Sequence, residues 1–101
     1  MQDHPKHLKR LYQLNSKHHG DNRQEIVKRI VELSLNDLLL AYHYLLRDRQ
    51  NWGRYLIETN TDDYVMDRFV QEYNVFTLTV LAKLIITKRR QENQLLSLTR
   101  L

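Results

Sequence analysis

Histidine is the residue type in this chain best placed to do chemistry, and four of the five histidines fall within the first twenty positions. His4 and His7 are three apart, which puts both imidazoles on one face of a helix, and His18 and His19 are adjacent. A closed metal site takes four ligands, usually with Cys or carboxylate among them. No second His-x-x-His or His-x-x-x-His spacing completes such a set, and the chain has no cysteine. We therefore expect no metal site and no cofactor, and read the histidines as part of a solvated, partly cationic N-terminal segment. The lack of cysteine also excludes disulfide scaffolds, thiolate zinc sites and cysteine nucleophiles.

Other catalytic arrangements fare no better. A helical nuclease that pairs an Arg with a His little more than one turn later is not encoded, since Arg10 precedes His18 by eight residues. Asp62, Asp63 and Asp67 form a carboxylate cluster that suggests magnesium or acid–base work. The same residues read more simply as helix-start acids, where negative charge complements the helix dipole. With Gly20 and Gly53 the only glycines, no nucleotide-cradling loop or nucleophile elbow can be built. The chain reads as a non-enzyme.

Basic residues interleaved with aromatics remain. Lys6, Lys9, Arg10 and Lys17 with Tyr12 form one cluster; Arg47, Arg49 and Arg54 with Trp52 and Tyr55 form a second; Lys88, Arg89 and Arg90 form a third. Such residues neutralise phosphates, and exposed aromatic rings stack on unpaired bases. All ten cations are nucleic-acid-binding candidates. Five acids fall between residues 58 and 72 (Glu58, Asp62, Asp63, Asp67, Glu72) against Arg68 alone. Asp62, Asp63, Asp67 and Glu72 are the candidates for a protein interface. The overall charge is +4, so the polarity along the chain is more informative than the sum. It can orient the molecule between a polyanion and a partner.

The elements that must position these residues read as helices. Two glycines and one proline in 101 residues are too few for the tight turns of a sandwich or barrel. A first helix is expected from His4 or Pro5, with a stop around Gly20. Asn22 and Glu25 have capping-box spacing ahead of Ile26, Val27, Ile30 and Val31. Ser34 and Asp37 repeat the cap-and-acid spacing. They open a helix from about Asn36 that either ends near Gly53 or runs through it to Ile57. Asn60 or Thr61 is suited to cap a long last helix, residues 62–91, that is apolar nearly all round. Leu95, Leu96 and Leu98 add a final turn or two. The expectation is one all-α domain over residues 1–101, a bundle of about four helices with a long, apolar-rich last helix. The most apolar window, Val75–Ile86, is about half of what a membrane-spanning helix needs and contains Lys83. A soluble, cytoplasmic protein with no membrane partner is expected.

Taken together, the three basic clusters, the length and the over-apolar last helix resemble the small subunits of CRISPR effector complexes. The resemblance is one of class, without a diagnostic motif. It implies a non-catalytic helical bundle that contacts displaced single-stranded DNA or the guide–target RNA–DNA duplex. It also implies docking on other subunits and self-association. The alternative is a small helical adaptor or inhibitor of the immunity, antitoxin or phage-regulator kind, in which the apolar surplus of the last helix is the interface.

Overall fold

The computed structural model describes residues 5–16 and 22–99, and every regular element among them is a helix. In chain order they are α1 (Lys6–Ser16), α2 (Arg23–Val31), α3 (Leu35–Glu58), α4 (Asp63–Glu72) and α5 (Val75–Thr99). His4, Lys17, His18, His19 and Gly20 lie outside the described residues, and with them the expected start at His4 and the stop at Gly20. Within α1, the Pro5 carbonyl accepts from the Lys9 amide at 3.1 Å, so the proline stands just ahead of the first turn rather than inside it.

Leu8, Leu11 and Leu14 of α1, Ile26 and Ile30 of α2, Leu38, Ala41 and Leu45 of α3, and Leu81 and Ile85 of α5 are buried together with Leu33. Their three- and four-residue steps give each helix one apolar stripe, and burying each large side chain contributes on the order of 1.5–3 kcal/mol. Side-chain contacts fix the directions. His7 Nε2 meets Asp37 Oδ2 at 2.8 Å, and Tyr12 stacks on Tyr44 with centroids 4.3 Å apart, so α1 and α3 run parallel. Arg23 lies 4.8 Å over the Phe76 ring, and Lys88 Nζ donates to the Leu33 carbonyl at 2.6 Å, so α2 and α5 run parallel to each other. Because Leu33 leads into α3 while Lys88 lies late in α5, those two helices are antiparallel. The result is an up-down bundle of α1, α2, α3 and α5, drawn out to 58 Å along its longest axis.

Two helix-end expectations are corrected. Asn22 sits in helical φ/ψ with no side-chain cap; its Nδ2 donates to the Leu14 carbonyl, and Glu25 pairs instead with Arg29 at 3.3 Å. The cap of α4 is neither Asn60 nor Thr61 but Asp62, whose Oδ1 accepts from the Tyr64 amide at 2.7 Å. Asn60 has φ 53° and closes α3: its amide bonds to the Ile57 carbonyl and the Thr61 amide to the Leu56 carbonyl, a Schellman end. Ser34 does cap α3, accepting from the Asp37 amide at 3.2 Å.

Two further features shape the far end of the molecule. α3 runs straight through Gly53, where a Cβ would stand 3.3 Å from Phe69 of α4, so the glycine gives α4 room to pack. The long last helix is present but interrupted at Tyr73–Asn74, with Asn74 in the left-handed region at φ 60°. The stretch Asp63–Leu98 holds an 18-residue window with a mean hydropathy of 1.3, apolar enough by length and composition to cross a membrane. That stretch is broken at Asn74, and it carries Thr77, Leu81 and Ile85, which are buried inside the bundle.

Candidate nucleic-acid interface

The cations nominated from sequence divide into three groups once the helices pack. Lys6, Lys9 and Arg10 are exposed on α1, Arg47 and Arg54 on α3, and Arg89 and Arg90 on α5. Arg49 and Lys88 are only partly exposed, and both are committed to the fold. The Arg49 guanidinium donates to the Phe69 carbonyl at 3.3 Å, to the Val70 carbonyl at 2.9 Å and to the Tyr73 carbonyl, closing the C-terminal end of α4. A cation there supplies a charged donor to the last carbonyls of the helix and complements the dipole. Lys88 does the same for the end of α2 through Leu33. Lys17 lies outside the described residues.

The α1–α3 flank is where separate clusters meet. Lys9 and Lys6 stand one and two turns before Tyr12 on α1, and Arg47 and Arg54 stand one and three turns after Tyr44 on α3. Because the two helices are parallel and joined by the Tyr12–Tyr44 stack, Lys9, the tyrosine pair, Arg47 and Arg54 follow one another along the flank. At 1.5 Å per residue they cover roughly 20 Å. The ion pairs among the described residues are His7–Asp37, Arg29–Glu25 and Arg68–Glu72, so these four cations pair with no acid there. Burial, then the neighbouring Tyr44 and Asp37, raises the Tyr12 hydroxyl well above the usual phenol range. The Tyr12 hydroxyl therefore adds no negative charge beside the cations. Arg10 turns to the other side of α1. Arg89 and Arg90 sit at the opposite end of the molecule from Arg54, so the described cations among the candidates do not all share one face.

The acids nominated as a protein interface all lie on α4 or its cap. Asp62 is the cap, Asp63 occupies the first turn, Asp67 is exposed, and Glu72 accepts from Arg68 at 3.1 Å. Beside them is a feature the sequence did not announce, a groove of about 1170 Å³ between α3, α4 and the start of α5. Trp52 and Leu56, Tyr64 and Val65, Phe69 and Phe76 form its apolar walls, with Arg23 and Arg68 among its lining. Trp52 is 47% exposed and packs edge-on against Tyr55 at 5.6 Å, so it is no core residue. Arg23 had no sequence signal, since its place depends on how α2 meets Phe76. The apolar face of α4 was legible, but the break that turns it into a wall was not. No group of three or more His, Asp or Glu gathers among the described residues in a way that could hold a metal.

Comparison with protein-family models, with curated proteins and with solved structures finds no match in any of the three.

Proposed function

We propose that the chain is a non-catalytic module that holds a nucleic-acid backbone along the α1–α3 flank. The observation that carries this reading is the Tyr12–Tyr44 stack, which aligns the exposed cations of α1 with those of α3. Phosphates of a single strand are spaced closely enough for a row of three cations over roughly 20 Å, Lys9, Arg47 and Arg54, to engage several at once. Tyr55, exposed next to Arg54, adds a ring able to stack on bases. A subunit of a larger ribonucleoprotein, as in the CRISPR effector small subunits the sequence resembles, is the setting this fits. Displaced single-stranded DNA or a guide–target duplex would be the ligand, in the cytoplasm.

Fluorescence anisotropy with a labelled single-stranded oligonucleotide tests it. With three or four phosphate contacts, raising salt from 50 to 200 mM should weaken binding roughly 20- to 50-fold. The triple variant Lys9→Glu, Arg47→Glu, Arg54→Glu should abolish binding, while Arg89→Glu with Arg90→Glu leaves most of it. Equal losses from both variants would remove the flank as the site, and no binding at low salt would remove the reading.

A second reading is favoured by a different observation, the exposed apolar end of the molecule. Trp52, Tyr55, Ile57, Tyr64, Val65 and Val70 are all exposed there. Concentrations of large apolar groups on a small protein mark contact surfaces for other proteins, and the acids of α4 would set the orientation of such a partner.

A further inference from the structure

We infer that the groove between α3, α4 and the start of α5 receives an amphipathic helix from a partner protein, one that carries acidic residues beside its apolar face. This rests on the second reading above and names the partner's chemistry. Three observations carry it. At about 1170 Å³ the groove is larger than the usual small-ligand pocket of roughly 300–1,000 Å³. Its walls are helices that present Trp52, Val65, Phe69 and Phe76, the kind of surface that takes the i, i+3, i+7 anchors of an incoming helix. The rim chemistry then selects among helices. Arg23 makes no acid pair among the described residues and lies over Phe76, and Arg68 shares a single carboxylate, Glu72, at 3.1 Å. Two guanidiniums against one carboxylate leave the groove cationic, within a stretch of sequence that is otherwise acidic. A helix with Glu or Asp flanking its anchors is attracted there, and one with Lys or Arg is repelled. The acids Asp63 and Asp67 are on α4 but outside the groove lining, so they do not cancel this preference.

Trp52 is the chain's only tryptophan, so its emission reports occupancy directly. The probes are two synthetic amphipathic peptides longer than about 15 residues, so that each can hold a helix. Both carry leucines at i, i+3, i+7 and i+10; one has Glu at the flanking positions and the other Lys. The Glu peptide should shift Trp52 emission to shorter wavelength with saturation, and the Lys peptide should bind about tenfold more weakly or not at all. Arg23→Glu with Arg68→Glu should reverse the order. Both positions are exposed, and circular dichroism checks that the fold is kept. Saturation by both peptides alike, unaffected by the double variant, would overturn the acidic partner while leaving a docking groove. No response to either would overturn the groove as a docking site altogether. A blue shift that grows with protein concentration alone would assign the groove to a second copy, and quenching by an oligonucleotide but by neither peptide would assign it to bases; each overturns the inference.

Discussion

The two ends of this molecule are made of similar residues and held together by different forces. At the bundle end, α1, α2, the first half of α3 and the middle of α5 enclose one another, and Leu8, Leu11, Ile30, Leu38 and Leu81 lose nearly all contact with solvent. At the other end, α4 is as clearly amphipathic, yet none of its residues is buried. It has α3 on one side, the start of α5 on another and solvent beyond. Polar bonds do what burial does elsewhere: Arg49 closes the α4 carbonyls, and Tyr73 donates to Asp48 at 2.6 Å. An apolar stripe becomes core only when neighbours close over it, and a stripe left open becomes a surface that can bind.

That contrast can be broken in order of expected effect. Leu81→Ala removes a side chain at the centre of the bundle and should cost about 2–5 kcal/mol in a denaturation curve. Arg49→Ala should cost about 2–3 kcal/mol, because it leaves partly buried carbonyls without a charged donor. Hydrogen exchange should then show the loss confined to α4 and the start of α5, with the α1–α2 amides unchanged. A uniform loss of protection would mean that the two ends are one cooperative unit. Gly53→Leu should separate α4 from α3 by displacing Phe69 while helix content measured by circular dichroism stays nearly constant.

Alkaline pH sharpens the comparison further. Burial and the bond to Asp48 raise the Tyr73 phenol, as burial raises Tyr12. An unfolded tyrosine ionises near pH 10, so above that pH unfolding releases protons that the fold retains, and stability falls as pH rises. Denaturant midpoints should hold below about pH 9 and drop between about pH 10 and 12; Tyr73→Phe should flatten part of the drop. The smallest effect is expected for Val70→Ala, within about 0.5 kcal/mol, since that side chain is 56% exposed. A larger cost would mean that α4 is covered by something in solution.

Much of the fold was legible because helix periodicity and the scarcity of glycine and proline are local facts. Ser34 ahead of Asp37 announced the start of α3, and the stripe of α2 named the buried Ile26 and Ile30, though it also took in Val31, which is half exposed. The break at Asn74 was not legible. No glycine or proline stands there, and the apolar stripe of α4 leads into that of α5 without a gap in pattern. What ends α4 is a guanidinium from Arg49 and an amide from Asn15, which meets Asn74 Oδ1 at 2.6 Å; the two lie twenty-four and fifty-nine residues upstream of Tyr73 and Asn74. The cations were all visible as a list, yet nothing in their spacing separated Arg49 and Lys88, which close helix ends, from Lys9 and Arg47, which face outward.

Composition and periodicity by themselves determined that this chain is helical, where its main apolar stripes lie and which residues are available to meet phosphate. Only the tertiary structure decided which cations share a flank and which are consumed by carbonyls, and that the long last helix bends to make a groove. The physical reason is range. Helix propensity and amphipathicity act within a turn or two, whereas a capping guanidinium, a tyrosine stack or an open groove wall exists only after distant segments have packed.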